Sequence, residues 1–298
     1  MEAYAVAIGI VALIYVLMAL GLTLQFGLAG LINFGVVGFF AVGAYASALL
    51  TQLGGWPLPV TFFCASLLAG AVAVPLGLVS LRLRDDYFAI ITLGFSETVR
   101  IAASSEVWLT GGVRGLAGVP RLFQGWAPGR GAQLLTLALA AAAALVTAIV
   151  VQRIARSPFG RIIEAIRDNE PAVASIGKDP AMFKVKVFVV GSIVVGFAGA
   201  LYGHYIGFVA PDQFAPIVTF YVWVAVVLGG VGRVSGAIVG TALLLILLEG
   251  SRFVRDVFPA VSEVEMASLR LGLVGLALIL LMIYRPTGLM GDYSTDRK

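Results

Sequence analysis

The chain runs from Ala3 to Leu81 without one charged side chain, and this stretch reads AYAVAIGIVALIYVLMALGLTLQFGLAGLINFGVVGFFAVGAYASALLTQLGGWPLPVTFFCASLLAGAVAVPLGLVSL. A single bilayer crossing by an α-helix needs about 20 apolar residues. A run of about 80 such residues therefore has room for about three crossings. Backbone polar groups in hydrocarbon must bond internally, so we expect helices here rather than strands.

The composition of the whole chain extends this expectation to a membrane protein without a soluble domain. Of its 298 residues, 60% are hydrophobic and 12% are charged, and the mean hydropathy is +1.01. Soluble domains carry about a quarter of their residues as charges, so a water-soluble fold is excluded. The formal charge of +4 does not indicate nucleic acid, because the basic residues cluster at the ends of apolar segments. Membrane topology explains them better.

Apolar runs along the chain predict an all-α fold, a polytopic transmembrane helical bundle of about eight to ten spans in a single domain, residues 1–298. Two glycine-rich segments, residues 27–38 and 229–240, predict broken or re-entrant helices. The candidate spans are residues 4–25, 29–51, 58–81, 87–106, 132–153, 185–208, 214–232, 235–250 and 267–284.

Lysine and arginine in short loops predict which ends of these spans face the cytoplasm, because such loops stay on the inner side. The loop between the fifth and sixth spans is the most basic and is assigned to the cytoplasm. Its seven basic residues are Arg153, Arg156, Arg161, Arg167, Lys178, Lys184 and Lys186. Counting spans outward from this loop also places Arg82, Arg84, Arg233 and the C-terminus inside. The N-terminus and residues 105–130 then lie outside.

The same loop, residues 156–183, contains an amphipathic segment with apolar side chains along one side. These side chains are Ile162, Ile163 and Ile166. A second short helix is predicted after them, because Asn169 can cap its N-terminus, Pro171 suits the first turn and Gly177 can end it. Such an element either lies on the inner leaflet or docks into a soluble partner.

The fourth candidate span carries two opposite charges one helical turn apart, Glu97 and Arg100. An isolated charge inside a membrane costs a few kcal/mol, and this spacing allows the two side chains to pair. They form either a fixed pair that faces the bundle interior or a pair that moves during gating. We expect the polar Asn33, Thr92 and Ser96 to face the interior as well, because polar groups that face lipid lack partners.

Small residues recur at every fourth position of the sixth span, where they let two helix backbones approach closely. Either these residues have a purely structural role, or they form a thin, tightly packed helix that lines a moving pathway. The candidate packing residues, with two from the eighth span, are Gly199, Gly203, Gly207, Gly236 and Gly240. A neighbouring face of the sixth span has the same spacing at Ser192, Gly196 and Ala200.

The sequence contains no pattern typical of a metal site or an enzyme. His204 is the only histidine and Cys64 the only cysteine, whereas a metal site needs several such ligands. We interpret His204, beside two tyrosines, as a residue of the interfacial aromatic belt. Nucleophile-elbow, zinc-protease and Walker signatures are absent, since Gly177-Lys178 is followed by Asp179. We therefore expect no enzymatic activity, no cofactor and no bound metal.

Short motifs are spread over nearly the whole chain. They are residues 30–35 (GLINFG), 38–45 (GFFAVGAY), 87–93 (YFAIITL), 110–112 (TGG), 118–120 (GVP), 165–167 (AIR), 227–232 (VLGGVG) and 285–289 (RPTGL). Together they resemble the LivM-type permeases of branched-chain amino acid ABC importers, a family related to the LivH-type and ribose-type permeases. One departure is residues 32–35, where many members have Ser-x-Gly-His and this chain has Ile-Asn-Phe-Gly. A polar contact assumed there cannot be carried over.

The resemblance implies a permease subunit in the bacterial cytoplasmic membrane, surrounded by lipid, that translocates branched-chain amino acids or related small polar solutes such as urea or amides. Its implied partners are a LivH-like permease, two cytoplasmic ATPase subunits and an external binding protein. The translocation pathway is then expected at Asn33, Thr92, Ser96, Glu97 and Arg100. Residues 156–183 would couple to the ATPase, with Val173 and Ile176 pointing at it. The candidate coupling residues are Arg161, Glu164, Arg167, Asn169, Glu170, Val173, Ile176 and Gly177.

The alternative is an ion-coupled secondary transporter of small solutes. Such a transporter would need several acids inside the membrane and a site at broken helices. Glu97 is the only acid well inside a predicted span, which favours the ATP-driven importer.

Overall fold

The computed structural model describes residues 2–80, 85–126, 130–257, 263–285 and 287–291. The helices are α1 (Glu2–Leu22), α2 (Val36–Gly54), α3 (Leu58–Ser80), α4 (Asp85–Ser105), α5 (Val107–Thr110), α6 (Arg130–Arg156), α7 (Pro158–Asp168), α8 (Glu170–Ser175), α9 (Pro180–Ile206), α10 (Pro216–Gly229), α11 (Val234–Val257) and α12 (Glu263–Tyr284). Two short strands, β1 (Leu116–Ala117) and β2 (Phe208–Val209), pair antiparallel. Arg82, Arg84 and the C-terminal residues 292–298 lie outside the described residues.

Each of the nine segments predicted to span the membrane contains a helix, which confirms the all-α, polytopic class. Within the described residues, five helices are long and apolar enough to cross a bilayer alone. They are Glu2–Leu28, Val36–Gly54, Leu58–Val79, Arg130–Arg156 and Pro180–Ile206. The remaining predicted segments correspond to α4, which carries charges, to α10 and α11, and to α12, whose described apolar part is Gly272–Leu281.

Helices α10 and α11 form a bent pair rather than two separate straight spans. Their axes differ by 119° across a short break, where Gly230 and Gly232 adopt positive φ angles of 114° and 84°. Helix α10 has 14 residues, or about 21 Å, which is too short for a hydrocarbon core of about 30 Å. The predicted break at residues 229–240 is confirmed, because the chain turns back by more than a right angle between the two helices.

The C-terminal residues of the described chain close the end of α10. The amide N–H groups of Leu289 and Met290 donate to the carbonyl oxygens of Leu228 and Gly229, at 3.1 and 2.9 Å. These carbonyls belong to the last turn of α10, and the carbonyl groups in the last turn of a helix have no hydrogen-bond donor within that helix. The RPTGL motif therefore leads into a segment that caps a helix end inside the bundle.

Helix α9 is the centre of the bundle and packs between α2 and α3 through its small residues. A Cβ atom on Gly199 would overlap the backbone carbonyl of Phe40 in α2, and one on Gly196 would overlap Ala69 in α3. Gly236 and Gly240 occupy similar positions where α11 crosses α10. Gly207 differs from the packing role expected for it, because it ends α9 as a C-cap with φ 77°.

Candidate functional site

The chain is not helical between α1 and α2, and polar side chains hold this break in place. Helix α1 continues as a π-helix, Thr23–Leu28, a form that is frequent at functional sites. Residues 29–35 follow without helical structure until α2 begins at Val36. The broken helix predicted at residues 27–38 is therefore confirmed. We call residues 29–35 the break.

A buried amide pair joins the break to α9. Gln25 donates from Nε2 to the carbonyl oxygen of Phe188 at 2.9 Å and to Ser192 Oγ at 3.2 Å. Asn33 donates from Nδ2 to Gln25 Oε1 at 2.7 Å, and its Oδ1 accepts the Gly35 amide at 2.7 Å. Backbone groups inside a bilayer need such internal partners. The pair gives the non-helical backbone the partners that water would otherwise supply.

The break also contacts α4 and α10. The Phe34 amide donates to Thr92 Oγ1 of α4 at 3.0 Å. Trp223 of α10 donates from Nε1 to the Asn33 carbonyl at 2.9 Å, and its indole stacks on Phe34 with ring centroids 5.1 Å apart. The Val37 amide donates to Thr219 Oγ1 of α10 at 3.0 Å. Four helices, α1, α4, α9 and α10, thus meet at one short segment.

The predicted pathway residues fall into two groups. Asn33, Thr92 and Ser96 are buried, and Ser96 lies where α4 crosses α2 at Gly38. Glu97 and Arg100 form a bidentate ion pair, with Arg100 Nη2 2.8 Å from Glu97 Oε2. This pair does not face the interior as expected, because it lies on the flank of α4 with side chains 30% and 34% exposed. A role of any of the five in translocation stays a prediction.

The loop helix α7 is bonded directly to the start of the break. Arg167 Nη1 donates to the Gly27 carbonyl oxygen at 2.8 Å. The Arg167 side chain also lies against Gly30, because a Cβ built there would be 3.0 Å from Arg167 Cγ. Gly30 has φ 70°, a conformation that favours glycine. Arg167 therefore holds the C-terminal end of the π-helix.

The two helices of the loop are capped as the sequence predicts. Ser157 Oγ accepts from the Gly160 amide at the start of α7, and Asn169 Oδ1 accepts from the Ala172 amide at the start of α8 at 3.1 Å. Gly177, with φ 79°, follows the end of α8. Lys184 Nζ lies 2.7 Å from Glu170 Oε2 and attaches α8 to α9.

Only one of the two apolar side chains expected to face a partner is exposed. Val173 is 6% exposed and belongs to the same core as Ile163 and Ile166. The expectation that Val173 points at a partner is wrong, because α8 lies against α7 and α9 with this side chain underneath. Ile176 is 73% exposed. Arg161 is exposed and Glu164 is partly exposed, so both side chains are accessible on the surface of the loop.

His204 is a core residue rather than a member of the aromatic belt. It is fully buried, with Nε2 2.8 Å from Ser47 Oγ and Nδ1 2.7 Å from the Pro120 carbonyl oxygen. The sequence did not reveal this burial because the covering segment around Pro120 comes from a loop distant in the chain. Within the described residues, no group of three His, Cys, Asp or Glu side chains is placed to hold a metal ion.

Comparisons with known proteins identify the family of the chain. Residues 4–282 match the family described as branched-chain amino acid transport system / permease component. The chain is 36% identical to the high-affinity branched-chain amino acid transport system permease protein LivM of Escherichia coli, over 96% of this chain and 69% of that protein. It is 26% identical to the probable LivM of Methanocaldococcus jannaschii, over 94% and 91% of the two chains. It is also 26% identical to LivH of Escherichia coli, over 95% and 93%.

No solved structure matches the chain. The family match covers almost the whole sequence, including the break, α4 and the α7–α8 loop. The chain is a multi-pass membrane protein and belongs to the family of permease components of branched-chain amino acid transport systems.

Proposed function

We propose that this chain is the non-enzymatic permease subunit of an ATP-driven importer for branched-chain amino acids or related small polar solutes. The observation that carries the proposal is the bond from Arg167 to the Gly27 carbonyl, which joins an amphipathic loop helix to a broken membrane helix. An importer powered by separate ATPase subunits needs such a connection between a surface element and its membrane helices. The relatives named as LivM and LivH permeases support the substrate class.

The proposed partners are a LivH-like permease, two ATPase subunits and an external binding protein. Helix α4 supplies a surface for the second permease, because the ion pair of Glu97 and Arg100 lies on its flank beside exposed Thr98 and Gly94. Charged groups facing hydrocarbon are costly, and they line cavities or interfaces instead. The translocation pathway then runs along this flank of α4, next to Thr92 and the break.

The proposed orientation places α7 and α8 in the cytoplasm, because this side carries most of the loop lysines and arginines. Helix α9 begins beside α8 at Lys184 and ends beside Pro120, whose carbonyl contacts His204. The segment around Pro120 therefore lies on the outer side, together with the N-terminus. The C-terminus lies inside.

Coupling follows from the contacts of the break. A displacement of α7 by an ATPase subunit acts through Arg167 on the π-helix, and Gln25 in that helix holds Asn33. The break then transmits the displacement to α4 through Thr92 and to α10 through Trp223. Buried polar contacts favour discrete alternative arrangements over gradual deformation, which suits alternating access.

Transport by the reconstituted complex tests the proposal. The chain is assembled in proteoliposomes with its LivH-like partner, the ATPase subunits and the binding protein, and uptake of labelled leucine is measured with ATP. We expect ATP-dependent uptake that unlabelled isoleucine and valine suppress, with urea and acetamide as competitors that define the substrate range. We expect no ATP hydrolysis by the purified chain alone. Uptake that requires an ion gradient and ignores ATP would favour a secondary transporter instead.

The exposure of Ile176 gives a second prediction. Ile176→Glu is expected to weaken binding of the ATPase subunit about tenfold, since exposed apolar anchors of this kind contribute about 1–2 kcal/mol to an interface. The permease should stay folded because the side chain lies in solvent. Co-purification of the ATPase and leucine uptake measure the effect, with Ser175→Glu as a control that places the same charge one residue away.

Val173→Glu distinguishes a docking role from a packing role. It puts a carboxylate into the core and is expected to destabilise the loop by roughly 3 kcal/mol, lowering the melting temperature of the isolated permease. Ile176→Glu should leave that temperature unchanged. Normal uptake and normal ATPase binding in the Ile176 variant would show that the loop only rests on lipid.

A further inference from the structure

A large groove lies between α3, α6 and α9. Its volume is about 1110 Å³, slightly above the range of about 300–1,000 Å³ that is usual for pockets that hold small molecules. The walls are apolar, with Phe62 and Phe63 on α3, Val146 on α6 and Phe197 on α9. Phe63 and Val146 are exposed. The groove is therefore open sideways, toward the region where lipid surrounds the bundle.

Helix packing explains why the groove exists. Helix α6 lies mainly along α1, whereas α3 lies along α9, so α3 and α6 diverge. Ala142 and Ala143 of α6 line the resulting space, which is deep because these side chains are small. The hydroxyl of Ser66, which lines the groove, is already bonded within its own helix, since Ser66 Oγ donates to the Phe62 carbonyl at 2.6 Å. The interior of the groove thus suits a hydrocarbon chain.

The turn at residues 121–126 covers one end of the groove and is polar on its outer side. Arg121 is exposed, and its Nη2 makes one long bond of 3.4 Å, to the Ile206 carbonyl. In the part of the chain that the structure describes, no carboxylate lies within ion-pair distance of Arg121. Trp126 is 84% exposed, and tryptophan is enriched at membrane–water interfaces.

The conformation of the same turn directs an aromatic ring to the groove. Phe123 has φ 56°, which is rare for a bulky residue and is retained where the surroundings require it. Its ring lines the groove and lies 6.3 Å from that of Trp126. An exposed cation and an exposed indole therefore lie on the same turn as an aromatic ring that lines the apolar groove.

We infer that this groove binds a phospholipid from the surrounding leaflet, with its phosphate at Arg121 and an acyl chain between α3 and α6. The groove combines an apolar interior with an exposed arginine in the turn that lines it, as a phospholipid combines an acyl chain with a charged headgroup. A guanidinium without a carboxylate partner favours a headgroup with net negative charge. A transmembrane helix of another chain fits less well, because the turn at residues 121–126 closes the groove at one end. The bound lipid would hold α6 against α3 and α9.

The full chain in nanodiscs made of equal parts phosphatidylglycerol and phosphatidylcholine tests this inference. After transfer to detergent, native mass spectrometry counts the phospholipid retained on each chain. We expect one retained lipid, enriched at least fivefold in phosphatidylglycerol. Arg121→Gln should remove the enrichment, and Ala143→Trp, which fills the groove, should remove the lipid. Arg114→Gln is the control, because Arg114 is an exposed arginine of the same outer region that does not line the groove.

Three results would overturn the inference. The first is that no phospholipid is retained, and the second is equal retention and enrichment in the parent chain and in all three variants. The third is a disulfide or cross-link between Cys placed at Val146 and another polypeptide of the assembled importer, which would identify the occupant as protein. If Ala143→Trp fails to fold, the headgroup enrichment in Arg121→Gln still decides between these outcomes.

Discussion

Arg167→Leu is expected to abolish most ATP-driven uptake while the importer still assembles. Leucine keeps the apolar contact with Gly30 but removes the donor that reaches the Gly27 carbonyl at 2.8 Å. A hydrogen bond from a charged group contributes about 1.5–3 kcal/mol, which corresponds to a loss of about ten- to hundredfold if the bond is needed in the rate-limiting state. Uptake and ATP hydrolysis in the same proteoliposomes measure the effect.

The separation of the two activities is the informative part of this experiment. If α7 acts on the membrane helices through Arg167, the variant complex should hydrolyse ATP without the stimulation that loaded binding protein gives to the parent. Arg153→Leu is the matched control, because Arg153 is an exposed arginine in the last turn of α6 that lies outside residues 156–183. Parental uptake by the Arg167 variant would exclude this bond from the coupling route.

The sequence was sufficient to predict those features that depend on local chemistry. The uncharged stretch from Ala3 to Leu81 dictates helices, because only they satisfy a backbone in hydrocarbon. Asn169 was identified as the cap of α8 because its side chain bonds an amide a few residues away. The glycines near residue 230 indicated a break because they can adopt positive φ angles that interrupt a helix.

The sequence did not predict in the same way which helix or loop buries a given side chain. The sequence of α8 indicates on which face of the helix Val173 lies, but it does not indicate that α7 and α9 cover this face. Buried His204 depends on a loop that returns from about 80 residues earlier in the chain. The pairing of Gln25 with Asn33 was missed because Gln25 lies within an apolar span and bonds through its tertiary neighbours. Polar residues inside apolar spans are the signal that could have found it.

Gly199→Leu is expected to prevent recovery of folded permease. Even the Cβ of an alanine at this position would overlap the backbone carbonyl oxygen of Phe40, and a backbone atom cannot rotate away as a side chain can. An outward movement of α2 would relieve the overlap, but it would also open the close contact between Gly43 and the Gly196 backbone, one turn further along the same helix pair. Extra methylene groups inserted into a well-packed core cost about 1–3 kcal/mol and sometimes more, and leucine adds four carbons where α2 and α9 approach most closely.

A graded set of alanine variants tests whether the close approach of α2 and α9 is the cause. Gly199→Ala should lower the melting temperature strongly. Gly203→Ala should lower it little, because the added carbon would be 3.1 Å from the Val209 Cγ2 methyl, which can shift. Gly272→Ala in α12 has open space around it and should be neutral or slightly stabilising, since alanine favours a helix over glycine by about 1 kcal/mol. Thermal unfolding of the detergent-purified chain, followed by size-exclusion chromatography, measures all three.

Equal melting temperatures for the Gly199 and Gly272 variants would mean that the contact between α2 and α9 can widen at no cost. The tight crossing would then not be what stabilises the bundle.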